Sequence, residues 1–206
     1  ATRLLVRSME EYNCDMVISD FYRVSGERLA QKGDIEEDKV MSRQEFASYM
    51  IENPADFYYG VLWNKMYRRS IIEEYHIRMD TSISWCEDFL FNLEYIRHAE
   101  SFFALQVPIY YYLKRRGSLV SQGASITNTV RMKSNIFEYY NEFYKDVYED
   151  KDYADIRLQV YSFLWAAAKD GGVLAGSKKL GEERRRITRE EVEGNGAVIG
   201  QYRFRR

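Results

Sequence analysis

The stretch 85-WCEDFLFNLEYI-96 decides how this chain is read. Phe89, Leu93 and Ile96 recur at helical spacing, which predicts an amphipathic helix. Glu87 and Asp88 fall in its first turn. Carboxylates there interact favourably with the open N–H groups of a helix start, by about 0.3–1 kcal/mol each. That alone explains two acids at this position in most helices. The neighbours add a second reason, because Trp85, Phe89 and Phe91 bring apolar bulk around the pair. Burial raises a carboxylate's pKa and a helix N-terminus lowers it. A side chain under both influences stays ionised yet partly stripped of water, which suits a general base.

Outward from this helix, the pattern alternates between helical and extended segments. Upstream, Leu4, Leu5, Met9 and Tyr12 make a helical stripe that Asn13 ends. The run 15-DMVISDFYRV-24 reads as one buried strand, and SGERLAQKGD after it as a hairpin or irregular loop. Ser42 and Glu45 form a capping-box pattern before a short helix that stops at Asn53-Pro54. The aromatic segment 58-YYGVLWNKMYRRSII-72 predicts extended chain through Trp63 and a helix from about Ser70 as cap. Downstream, 102-FFAL-105 and 108-PIYYYLKR-115 read as two strands, with Pro108 at a strand start or edge. From Thr127 to Asp170 the pattern is helical, and Gly171-Gly172 break it.

Composition bounds the function. With 206 residues, 46% of them hydrophobic and 30% charged, the chain is globular and long enough for one domain with an appendage. A net charge of −2 gives no argument for a nucleic-acid partner. The charge is uneven, since residues 178–206 hold nine basic and five acidic side chains. Such an end is either a solvated tail or one that leans on anionic lipid headgroups. Cys14 and Cys86 are far apart, with no Cys/His cluster, so neither a disulfide framework nor a zinc site is expected and a reducing compartment is. No secretory signal or run of membrane-spanning length is present.

Three words in this order and spacing, WNKMYRRSII, CEDFLFNLEYI and IYYYLKRRGSLVS, with DMVISDFYRV upstream, resemble the bacterial family 2 glycosyltransferases of GT-A type that build surface polysaccharides. The likeness covers residues 1 to about 122. It implies an α/β fold: a partial GT-A-type mixed sheet of three to five strands flanked by helices, then a helical C-terminal extension. Residues 1–125 would be the acceptor-side half of the catalytic domain, and residues 126–206 a helical extension with a basic tail.

The resemblance also implies a mechanism. In an inverting enzyme of this type an acceptor hydroxyl attacks the anomeric carbon of a nucleotide sugar, and a carboxylate takes its proton. That places Asp88 as base, with Glu87 as its understudy. Arg115, Arg116 and Ser118, in Tyr-x-x-Arg-x-Gly-Ser, are candidates for meeting the leaving diphosphate; the alternative for the arginines is a solvated strand end. Asn64 and Lys65 either shape the cleft or tie down local backbone. Trp63 and Trp85 either stack on a sugar ring or pack in the core. His76 reads as a surface turn, and His98 as a complement to its helix dipole.

One departure is large. The family opens with a nucleotide-binding half closed by a metal-holding Asp-x-Asp motif, and neither is found here. Asp150-Lys151-Asp152 has the letters but lies in a late polar helical region, which reads as solvated surface. A divalent metal, Mg or Mn, is therefore expected for a parent enzyme, with its ligands outside this chain. The expected partners are a nucleotide-sugar donor and a saccharide or lipid-linked acceptor, with no nucleic acid. A cytoplasmic place, with peripheral contact at the inner membrane face, and a homo-oligomer formed through an exposed sheet edge complete the expectation. The fragment alone is expected to be inactive. The alternative is a non-catalytic carbohydrate- or protein-binding module derived from the same fold.

Overall fold

Strand β1, Met16–Ser19, is buried along its whole length because the sheet has a core on each face. In the computed structural model, which describes residues 1–25, 27–54, 56–81, 86–113 and 126–169, its alternate side chains part in the manner a pleat requires. Met16 and Ile18 enter a large core, while Val17 joins a smaller one with Leu5, Cys14, Phe103 and Leu105. Helix α1, Thr2–Tyr12, covers the smaller core, with Tyr12 stacked on Phe103 at 3.8 Å. It ends where Asn13 turns left-handed at φ 44°, a conformation asparagine tolerates.

The run expected as one strand is two. Strand β2, Phe21–Ser25, follows β1 but belongs to a different sheet. The cause lies in the neighbouring stretch of chain. β1 runs parallel to β6, Ser101–Leu105, as far as the Ser19–Leu105 pair; β2 resumes against β7, Tyr111–Leu113, from Tyr22 onward. Between them Asp20 donates its N–H to Leu105 and accepts at its own carbonyl from Ile109, so both segments cross from one sheet to the other together. The first sheet is mixed, in the order β4-β6-β1-β5, where β4 is Met41–Ser42 and β5 is Lys65–Tyr67. The second has the order β3-β2-β7, with β3, Arg28–Lys32, closing the expected hairpin.

Helix α2, Arg43–Glu52, carries the complete capping box: the Ser42 hydroxyl accepts from the Glu45 N–H, and the Glu45 carboxylate accepts from the Ser42 N–H. The next segment overturns an expectation. Residues 57–60 are a turn of helix, α3, rather than extended chain, because the Asp56 carboxylate caps it by accepting from the Tyr58 N–H at 2.7 Å. The strand comes later, as β5, and helix α4, Arg69–Glu74, starts without a side-chain cap from Ser70.

Helix α5, Glu87–His98, lays Phe89, Leu93 and Ile96 into the large core as its spacing predicts. Helices α6, Ile126–Val147, and α7, Asp150–Lys169, close the same core with Ile136, Tyr140, Phe143, Val160 and Phe163. The result is two small sheets flanked by helices, with a helical C-terminal region that shares its core with α5. Asp150, Lys151 and Asp152 are exposed in the first turn of α7. No helix among the described residues is long and apolar enough to cross a membrane.

Candidate functional site

The chain enters α5 through Cys86, which sits left-handed at φ 67° as the residue before the helix and offers no side-chain cap. A non-glycine residue in that region stores strain, which is common where a fold must aim the next side chain. Next come Glu87 and Asp88, with Arg97 and His98 in the last turn, so the helix dipole is complemented at both ends. Asp88 is half-buried. Burial, then the neighbouring Glu87 charge, push its carboxyl above the usual range; a hydrogen bond from the Leu62 backbone and the Lys65 charge pull the other way.

Lys65 is 7% exposed and Asn64 is fully buried. The Lys65 ammonium does not clasp Asp88. It donates to the carbonyls of Tyr58 (2.9 Å) and Val61 (2.6 Å) and to Asn64 Oδ1 (2.9 Å). Desolvation presses this lysine's pKa well below its ordinary value, while the charges of Asp88 and Asp56 oppose that. Three acceptors call for three N–H donors, which only the charged ammonium supplies. Asn64 Nδ2 donates to the carbonyls of Tyr58 and Ser19, and its own carbonyl accepts from the Ser19 N–H and hydroxyl. Backbone ties thus engage both residues, the second of the two roles expected for them.

Trp63, next to Leu62, is partly buried in an aromatic cluster. Tyr110 stacks on it at 4.3 Å, Tyr112 lies parallel at 5.7 Å and Phe21 meets it edge-on at 4.8 Å. Core packing accounts for its contacts, and the exposed ring of this group is Tyr110. Trp85, Arg115, Arg116 and Ser118 lie outside the described residues, as does the basic segment 178–206. His98 bonds Glu94 at 3.2 Å and stacks on Tyr75, in keeping with a role at the helix end. His76 sits in a turn with φ 51°.

Sequence reasoning missed Asn92. It is fully buried one turn after Asp88, donates to the carbonyls of Tyr59 and Gly60 (2.9 Å each) and Val61 (3.4 Å), and accepts from the Tyr67 hydroxyl at 2.6 Å. The available signal was an amide on the apolar face of α5. Asn92 thus holds the α3–β5 turn against α5, while Lys65 and Asn64 tie the turn to itself and to Ser19 of β1. What results is a fixed, half-open carboxylate with raised proton affinity, which is chemically able to accept a proton from a hydroxyl.

Comparison with known proteins agrees with this architecture. No family model matches the chain. EpsJ of Bacillus subtilis (strain 168), described as an uncharacterized glycosyltransferase, is 27% identical over 116 residues, which are 56% of this chain and 34% of that protein. Among solved structures, TarS 1-349 of S. aureus in complex with UDP-GlcNAc superposes with a TM-score of 0.54 at 17% identity, covering 79% of this chain and 43% of that one. The chain therefore spans about a third of the length of the curated relative it matches. It is similar in sequence to part of a glycosyltransferase, and its fold is that of part of one.

Proposed function

We propose that the chain is the acceptor-side part of an inverting, GT-A-type glycosyltransferase of family 2 that builds bacterial surface polysaccharide. The supporting observation is Asp88, half-buried in the first turn of α5 behind the left-handed Cys86, with its proton affinity raised by burial. In this reading the acceptor O–H attacks the anomeric carbon of the donor. The new C–O bond forms as the bond to the diphosphate oxygen breaks, the hydroxyl proton passes to Asp88, and the nucleoside diphosphate leaves. Glu87 keeps Asp88's proton affinity high and is placed to meet a sugar hydroxyl. Arg115, Arg116 and Ser118 are assigned to the leaving diphosphate, Trp85 to a sugar face. The structural neighbour was solved with UDP-GlcNAc, which supports a uridine-diphosphate sugar as the donor class.

Among the described residues no group of three or more His, Cys, Asp or Glu is placed to hold a metal ion. The proposal assigns no metal ligand to this chain and derives no step through one. The cytoplasmic membrane face is the proposed place of work, with the 178–206 segment as the contact. The second reading is a non-catalytic carbohydrate- or protein-binding module of the same fold. Joining the chain to a nucleotide-binding half and following UDP release and product stereochemistry separates the two. Transfer with inversion is expected. Transfer with retention overturns the mechanism, and saccharide binding without transfer selects the second reading.

A further inference from the structure

Tyr110 holds a half-open ring in a fixed place. Its chain is pinned where the two sheets meet: the Ile109 N–H donates to the Asp20 carbonyl at 3.1 Å, and the Tyr110 carbonyl accepts from the Tyr22 N–H at 2.7 Å. Its ring stacks on Trp63, with centroids 4.3 Å apart and planes 24° apart. Trp63 is itself held, because Phe21 meets the indole edge-on at 4.8 Å, Phe57 packs at 5.8 Å and Tyr112 lies parallel at 5.7 Å. Yet 41% of Tyr110 is open to solvent. A ring immobilised in advance loses little further freedom when a ligand stacks on it. The surface is also tied to the candidate site. Trp63 lies in the turn between α3 and β5, whose Tyr59 and Gly60 carbonyls accept from Asn92 of α5, and Asp88 stands one turn earlier in that helix.

We propose that Tyr110, backed by Trp63, is a stacking surface for a neutral pyranose ring of the acceptor saccharide. The inference rests on the proposed function and deepens it by naming a side chain that meets the acceptor. The chemistry favours this class of ligand. A pyranose whose hydroxyls are mostly equatorial presents axial C–H groups on its two faces, and their slight positive charge meets the negative face of an aromatic ring. The hydroxyls around its rim stay in water. A phosphate-bearing ligand fits less well, because the rings around Tyr110 are neutral and the crossing that pins it carries the Asp20 carboxylate, bonded by Gln31 at 2.8 Å. The next residue, Tyr111, is as open at 45% but turns its ring to Tyr22 at 5.0 Å, which makes it an internal control.

The test is saccharide binding by the chain itself, followed by proton NMR. The probes are cellobiose, lactose and N,N′-diacetylchitobiose, with UDP as the charged comparison. Tyr110→Phe keeps the ring and is expected to keep binding. Tyr110→Ala removes it and should weaken binding by about tenfold, the scale of one base stacked on an aromatic side chain. Tyr111→Ala should bind as the wild type does. In the wild-type complex the Tyr110 ring protons should show nuclear Overhauser contacts to sugar C–H groups, and that measurement decides if Tyr110→Ala does not fold. The proposal is overturned if none of the three disaccharides binds at millimolar concentration, or if Tyr110→Ala leaves their binding intact. Binding of UDP alone that Tyr110→Ala abolishes overturns the ligand class. No turnover is needed, so failure of the base reading shows separately, as retained transfer in Asp88→Asn.

Discussion

Replacing Asn92 by leucine keeps the side chain's size and removes its polar atoms. The carbonyls of Tyr59 and Gly60 then lose the donor that Asn92 provides, and the Tyr67 hydroxyl loses its acceptor, whereas Val61 O keeps Lys65. Asn92 has no exposed surface, so water does not replace it without disturbing the core. A buried polar group left without a partner costs about 1–3 kcal/mol. Some relaxation and the gain in apolar surface offset part of this, which leaves an expected loss of about 3–6 kcal/mol from the orphaned groups. Against a total stability on the order of 5–15 kcal/mol this is large. Urea unfolding followed by tryptophan fluorescence should show a midpoint lower by about 1.5–3 M, taking a slope near ~2 kcal/mol/M, with the slope itself unchanged. A loss under about 1 kcal/mol would mean that the turn does not depend on Asn92, and the clamp would be refuted.

Other perturbations probe separate parts of the structure. A Cβ at Gly33 would overlap the Asp20 carboxylate, which is buried and held by Gln31; Gly33→Ala should therefore cost about 1–3 kcal/mol in thermal unfolding, and a neutral result would show that Asp20 moves freely. Cys14 is fully buried and burial pushes its thiol up to about 11, so a thiol reagent at neutral to mildly basic pH should leave it unlabelled until urea unfolds the chain, and rapid native labelling would contradict the packing of α1 on the sheet. For transfer, the base must be unprotonated. Because the folded Asp88 binds its proton more tightly than an ordinary aspartate, activity should fall on acidification while the pH is still above the usual carboxylate value. A rate that stays level down to that value speaks against Asp88 as the titrating group.

Local pattern carried far in this chain. The stripe of α1, the Ser42–Glu45 box, the buried strand after Cys14 and the core face of α5 were all legible because each depends on residues a turn or a pleat apart. The failures are mostly non-local. Nothing in 15-DMVISDFYRV-24 says that its second half changes sheets, since the switch at Asp20 is set by Leu105 and Ile109, distant in sequence. The aromatic run after Asp56 has strand composition, yet one capping carboxylate turns it into helix, a case of local capping prevailing over propensity. At the site, Glu87 and Asp88 were readable as a helix-start pair, and Asn64 and Lys65 as polar residues beside a strand. The partners of Asn64 and Lys65 are mostly backbone carbonyls, which carry no side-chain signature.

Asp88 as the group that takes the acceptor's proton is the central claim. It is tested most directly by Asp88→Asn in a polypeptide that joins this chain to a nucleotide-binding half, with transfer and donor affinity measured on the same preparation. The expected result is a fall in transfer of about 10²–10⁴-fold with donor affinity kept. Transfer at the original rate would contradict the claim, and the proton would then have to go elsewhere.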